Sequence, residues 1–287
     1  MSKQNQNITS KNIKKYWKKN WWKHILEILI CAIYLLPFYV IVVMSLKDMT
    51  NDSSRLSFPN PIYWGNYESV IESGKMTSAL INSAIIMISV VALEIVIGCL
   101  AAYPLARNHS KGNNLIMNIF LGVMMIPGVS VLVGIYSLLT SIGGTNTYWG
   151  IILVNVGFGL PTAIYLYTNF ISSIPESLDE AAAIDGASNI QAFFRVIMPQ
   201  LKPITVTVMI LQGVGMWNEY MYSVYILQRP AMFTVTLQIS SYFSTNTSSD
   251  YGGAAAAAVI GMLPLVIMYV FLQKYFIQGA VVGAVKG

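Results

Sequence analysis

The sequence predicts an all-α, polytopic membrane protein: six transmembrane helices, with a polar helical hairpin between the fourth and fifth. Three observations predict it. Apolar residues make up 55% of the 287-residue chain and charged residues 10%, against about 25% charged in a soluble domain. With a mean hydropathy of +0.59, the chain has too few charges to cover a soluble surface. The apolar residues gather into six runs, each long enough to cross a ~30 Å hydrocarbon core. The lysines and arginines are distributed unevenly around these runs, as in proteins oriented by positive charge on the inside.

Residues 1–24 form a Lys/Asn-rich tail. Lys3, Lys11, Lys14, Lys15, Lys18, Lys19 and Lys23 lie among Trp17, Trp21 and Trp22, a pattern of interfacial anchoring. The tail reads as partly helical and lying on the membrane surface. No basic stripe recurs elsewhere, which argues against a nucleic-acid partner. The first span is Ile25–Leu46, with Pro37 expected to kink it. It is too long for a signal-peptide core and no small-residue cleavage site follows, so it is expected to be retained. Lys47–Met76 is a loop with turn signals at Asp52-Ser53-Ser54 and Phe58-Pro59-Asn60-Pro61, and a short helix near Tyr67–Ser73.

The later spans are Ala79–Leu105, then Asn114–Leu139, broken at Pro127-Gly128, and Tyr148–Phe170, containing Pro161. Ile204–Leu227 and Gly252–Phe276 complete the six, separated by a Ser/Thr-rich loop, Gln228–Tyr251. The organisation is thus a basic tail (1–24), a six-helix transmembrane domain (25–276) and a short tail (277–287). Lys47, Arg55, Lys75 and Arg229 fall on one side, and the other thirteen basic residues fall on the side of both termini. Both termini and the stretch 172–203 are therefore expected in the cytoplasm, in a plasma-membrane protein. No internal repeat of the secondary-transporter kind is visible.

The stretch 172–203 carries strong local helix chemistry. Ser173-x-x-Glu176 has capping-box spacing, and Glu176, Asp179 and Glu180 crowd a first turn where negative charge suits the helix dipole. Ala181, Ala182 and Ala183 leave a bare surface, and Gly186 can take the left-handed turn that ends a helix. Ser188-x-x-Gln191 caps a second helix, carrying Ile190, Phe193, Phe194 and Ile197, which Pro199 and Pro203 close before the fifth span. Its acids leave the stretch negative, which suits a basic groove, and a bare alanine face permits close approach. From the residues alone, a docking hairpin and a surface hairpin that merely fills a connection both remain open.

Glu180-Ala181-Ala182-x-x-Asp185-Gly186-Ala187, followed by Phe194, Ile197, Pro199 and Pro203, resembles the coupling-loop signature of ABC importer permeases. Asn82-Ser83, Trp217-Asn218-Glu219 and the ending Gly283-Ala284-Val285-Lys286-Gly287 resemble the carbohydrate branch, specifically the smaller six-span partner in the maltose and multiple-sugar importers. The resemblance covers most of the chain. It implies the type I importer permease fold and a heterodimer with a second permease. It also implies two cytoplasmic ATPase subunits that use ATP and Mg, and an extracytoplasmic sugar-binding protein. Glu180, Ala181, Ala182, Asp185, Gly186, Ala187, Phe194 and Pro199 would then contact the ATPase, and Gly283, Lys286 and Gly287 would either reach between the ATPase subunits or simply fray. The chain has no Gly-x-x-x-x-Gly-Lys-Ser/Thr loop, so it is expected to bind no nucleotide or other cofactor itself, and not to be an enzyme.

Sugar sites pair aromatic faces with amides and hydroxyls. Asn155, Tyr165, Trp217, Asn218 and Tyr220 are candidates for a substrate pathway, against the alternative of ordinary interfacial packing. Glu219 either lines that pathway or makes an inter-helix hydrogen bond, and Glu94 can simply face the bundle interior. Cys31 and Cys99 read as small buried hydrophobes, and His24 and His109 flank spans. No His/Cys cluster supports a metal, and no nucleophile–base pair supports catalysis. The competing readings are a permease for a non-sugar solute and an ion-coupled carrier, the latter predicting uptake that survives loss of ATP.

Overall fold

The computed structural model describes residues 10–51, 53–243 and 250–284, and among them the regular structure is all helical. α1 (Ser10–Ser45) runs without interruption through Pro37, so the described part of the basic tail is continuous with the first span rather than a separate surface element. α2 (Gly65–Glu72) is the short helix expected in the first loop. α3 (Lys75–Arg107) is longer than the expected second span by a turn at its start. The third span is not one rod: α4 (Lys111–Met124) and α5 (Gly128–Ser141) meet at 98°. Pro127 supplies no N–H and biases Ile126 away from helical geometry, so the run breaks there instead of bending. Among the described residues, five helices are long and apolar enough to cross a membrane, or six if this broken pair counts as one span.

α6 (Tyr148–Ser172) packs along α3, and this pair forms the most extensive interface of the bundle. Ile86, Val90, Ile151 and Val154 fill one end of it, and Cys99, Ala102, Ala163, Tyr167 and Ile171 the other. Small residues set the spacing: a Cβ on Gly98 would meet Ala163 Cβ at 3.2 Å and the Tyr167 ring at 3.4 Å, the close approach that glycine permits between membrane helices. α9 (Lys202–Trp217) lies against both, tied by Tyr167 Oη donating to Thr205 Oγ1 (2.9 Å) and Gln212 Nε2 donating to the Gly159 carbonyl (2.9 Å).

At one end of the bundle α2 packs with the start of α3 and with α12 (Tyr251–Ala284), and α11 (Val235–Ser241) packs on the same two helices, around Val70, Met76, Trp217, Val235, Ala256 and Ala257. The expected Ser/Thr-rich loop therefore contains a buried helix. Asn82 and Ser83 explain its position. Asn82 Nδ2 donates to the carbonyls of Ala231 (3.0 Å) and Phe233 (2.9 Å), Tyr148 Oη donates to Asn82 Oδ1 (2.7 Å), and Ser83 Oγ accepts from Val235 N (2.9 Å).

α12 extends well past Phe276, so most of the segment expected to be a short tail is helix. α1 packs against α12, and its residues 21–39 are almost all exposed, with Ile28, Tyr34 and Leu35 each more than 60% accessible. Such a surface is stable only against an apolar solvent. Cys31 is exposed on this face, contrary to the buried position expected for it, whereas Cys99 is buried.

Candidate functional site

The hairpin between α6 and α9 lies at the opposite end of the bundle. Its first helix, α7 (Ser177–Ile184), starts later than the capping-box spacing suggested. Ser173 is the last cap of α6, its hydroxyl donating back to the Phe170 carbonyl (2.7 Å), and α7 begins behind Glu176 with no side-chain cap. The end of α7 matches expectation closely. Gly186 has φ 79°, its N–H bonds the Ala183 carbonyl (3.0 Å), and Ala187 N–H bonds the Ala182 carbonyl (2.9 Å). This paired 5→2 and 6→1 closure is the Schellman motif.

The chain re-enters helix at α8 (Asn189–Ala192) through a complete capping box: Ser188 Oγ accepts from Gln191 N (3.4 Å) and Gln191 Oε1 from Ser188 N (2.9 Å). The prolines do not then close the second helix. The chain passes through a π turn (Phe193–Ile197) and a 3-10 turn (Met198–Leu201) directly into α9. Pro199 and Pro203 each fall in the first two positions of a new helical type, where a missing N–H costs little. The second arm of the hairpin is therefore continuous with the fifth span.

Ala182, Ala192, Phe193 and Ile197 are buried and root the hairpin in the core. Ala182 is thus an internal packing residue, not part of an outward alanine face, on a helix that packs against α8 and the π turn that follows it. Glu180, Ala181, Asp185, Gly186, Phe194 and Pro199 are exposed, and Ala187 is half-buried. Ile184 and Ile190 stand 86% and 71% accessible beside Glu176, Glu180 and Asp185. An apolar pair framed by carboxylates on a rigid, doubly capped hairpin is a docking surface in shape and chemistry. A cleft of about 590 Å³ runs between it and α3, lined by Leu100, Tyr103, Glu180, Ile190 and Phe194 among others.

Asp179 does not face outward with the other acids. Tyr103 Oη donates to Asp179 Oδ1 (2.7 Å) and Arg107 Nε to Oδ2 (2.9 Å), with Arg107 Nη2 also 2.9 Å from Oδ2. Arg107 Nη1 donates to the carbonyls of Ile171 (3.1 Å) and Ile174 (3.0 Å). Sequence reasoning missed Arg107 and Tyr103. An arginine at the end of a span looks like a topology charge, and only the fold brings it to the hairpin.

The pathway candidates separate. Trp217 is buried, its indole donating to the Gly261 carbonyl (3.0 Å), and Asn155 is buried with its amide on the Ile151 carbonyl (2.9 Å). Both side chains are thus engaged with backbone carbonyls, Trp217 across to α12 and Asn155 within its own helix. Tyr165, Asn218 and Tyr220 are exposed. The expected fifth span ends early, because α9 stops at Trp217 and α10 (Met221–Ile226) follows. Glu219 sits in that break and, among the described residues, makes no inter-helix side-chain bond. It caps α10, accepting from Tyr222 N (2.6 Å), Ser223 N (3.0 Å) and Ser223 Oγ. Glu219→Gln leaves one oxygen for these donors and is expected to lower stability by about 1 kcal/mol, seen as a modest fall in melting temperature with transport selectivity unchanged. Altered selectivity at full stability would instead put Glu219 in the pathway. Glu94 is 2% exposed and faces the bundle interior. Gly283 lies in the last turn of α12, whereas Lys286 and Gly287 lie outside the described residues.

Comparison with known proteins gives these features a setting. Residues 94–281 match the family described as binding-protein-dependent transport system inner membrane component. The chain is 37% identical over 264 residues to the melibiose/raffinose/stachyose import permease protein MelC of Bacillus subtilis, covering 92% of this chain and 95% of that one. It is 32% identical over 280 residues to the multiple sugar-binding transport system permease protein MsmG of Streptococcus mutans, covering 96% and 100%. A chain from the crystal structure of a bacterial ABC transporter involved in the import of alginate shares the fold, with a TM-score of 0.78 at 20% identity over 94% of this chain and 99% of that one.

Proposed function

Because the chain belongs to the family of binding-protein-dependent transport system inner membrane components, we propose that it works as one of two different permease subunits in an ABC importer, carrying a sugar or oligosaccharide into the cytoplasm. The observation that carries the reading is the hairpin 172–203, which lies inside the matched region, is capped on both sides of the turn between its arms and faces outward. ATP is hydrolysed in two separate ATPase subunits, and the exposed part of the hairpin, Glu180, Ala181, Asp185, Gly186 and Phe194, docks on one of them. The distribution of lysine and arginine supports a cytoplasmic hairpin and cytoplasmic termini. The end built from α2 and α11 then meets the extracytoplasmic binding protein, and the α12 end, with Gly283, Lys286 and Gly287, extends toward the ATPases. Two relatives named for sugar import support a carbohydrate cargo. Tyr165, Asn218 and Tyr220 remain on the pathway side of the proposal.

The test is uptake of radiolabelled melibiose and raffinose by vesicles holding the chain with its partner subunits. Uptake should require both ATP and an added binding protein, and should survive collapse of ion gradients. Uptake that follows an ion gradient without ATP would overturn the importer reading in favour of a carrier.

A further inference from the structure

We propose that Arg107 is the positioning residue that transmits movement of the docked hairpin into the bundle, a role that rests on the importer reading above. A hairpin moved by an ATPase must pull on the spans through something stiff. The covalent route into α6 passes through Ser173 and Pro175, outside any helix, and the two arms of the hairpin meet at Gly186. The capped turn at Gly186 leads from α7 toward α9, but no helix runs from α7 into α6 or α3. The Arg107 guanidinium closes this gap. It lies on the last turn of α3, donates Nε to the α7 carboxylate of Asp179 with Nη2 at ion-pair distance from the same oxygen, and donates Nη1 to the Ile171 carbonyl in the last turn of α6 and to the Ile174 carbonyl just beyond it.

Three elements are thereby fastened at one planar group. Tyr103, one turn earlier on α3, takes the other Asp179 oxygen, so both carboxylate oxygens are held from the same helix. The Arg107 and Asp179 side chains are only 13% and 19% exposed, where a hydrogen-bonded ion pair is far less screened than on the surface. The Ile171 carbonyl is at the C-terminus of α6, the position that favours a cation. Lysine does not reproduce this arrangement, because its single ammonium has no planar fork with which to span three acceptors in two directions. Displacement of α7 is thus carried directly to α3 and α6, the pair with the most extensive interface in the bundle.

The experiment uses the full complex in nanodiscs, with Cys31 and Cys99 replaced by alanine and Asn218→Cys introduced at the far end of α9 as a reporter. Two quantities are read on assembled complexes: the ATP hydrolysis rate, and the change in maleimide labelling of the reporter on trapping with ATP and vanadate. Arg107→Gln, Arg107→Lys and Asp179→Asn should each cut the labelling change by at least about tenfold while leaving ATP hydrolysis within a few-fold. The Arg107→Gln/Asp179→Asn double variant should be no worse than either single, because both break one link. Tyr103→Phe, which keeps the ring and removes one hydroxyl, should reduce the labelling change by a smaller factor, and it serves where the charged variants do not assemble. A normal labelling change in assembled variants, with only the yield of complex reduced, would show Arg107 to be structural and overturn the proposal. The importer reading fails separately: the wild-type chain would then retain no ATPase subunit at all.

Discussion

Gly186→Val is expected to uncouple the transporter while leaving its membrane-embedded part folded, and Gly186→Asn is expected to leave both coupling and fold nearly intact. Gly186 sits at φ 79°, and a Cβ built there meets no atom within 4 Å. Space is therefore not the constraint; backbone conformation is. A left-handed residue costs an L-amino acid roughly 1–2 kcal/mol, least for asparagine, and a β-branched side chain suffers most. The Schellman closure on the Ala182 and Ala183 carbonyls depends on that conformation. Without it, α7 unwinds at its exposed end, beside Ile184 and Asp185. The series should run Gly, Asn, Ala, Val in falling order of ATPase co-purification and of ATP-driven uptake, with valine at least about tenfold down. Thermal stability of the spans should hold throughout. Equal co-purification for the valine and wild-type chains would mean that the hairpin does not dock through this turn.

The hairpin illustrates what the sequence discloses and what it does not. Ser188, Gln191 and Gly186 act within a few residues of themselves, so their spacing predicts their geometry and the fold leaves it unchanged. Ser173 has the same spacing to Glu176 but serves the helix before it, because α6 runs on to Ser172 and the serine becomes that helix's cap. Pro199 and Pro203 look like stops along a line of letters. They are tolerated once the chain changes helical width and each falls in a first turn. Arg107 is beyond sequence pattern altogether: its partner Asp179 is 72 residues away, and its meaning depends on α3 and the hairpin ending at the same level. The break at Asn218 was equally hidden. Its cause is Glu219 capping a new helix while Thr236 Oγ1 donates to the Glu219 carbonyl (2.7 Å), and the second of these contacts is tertiary.

Two glycines one half-turn apart on α6 should respond in opposite directions to the same substitution. A Cβ on Gly157 meets nothing within 4 Å, whereas one on Gly159 would run into Glu94 Oε1 and come within 3.1 Å of Gln212 Nε2. Gly157→Ala is then a pure gain in helix propensity, worth up to about 1 kcal/mol. Gly159→Ala has the same gain but must displace a side chain that is 2% exposed between α3 and α6. Overpacking of that kind costs about 1–3 kcal/mol, so destabilisation wins. Glu94 alone is an uneasy occupant, with Oε2 buried and without a hydrogen-bond partner. Glu94→Gln keeps the shape and should be tolerated, while Glu94→Ala opens a cavity in the most extensive helix interface and should be destabilising. Combining Glu94→Ala with Gly159→Ala puts the new methyl into the vacated space. The double variant should be more stable than the sum of the singles by about 0.5–3 kcal/mol, read as melting temperature in nanodiscs. Strict additivity would mean that Glu94 does not occupy the space over Gly159, and the close packing of α3 on α6 would have to be re-drawn. The expected non-additivity would mark the pair as the contact that sets how closely these two spans approach, which is the interface through which any motion of the hairpin must pass.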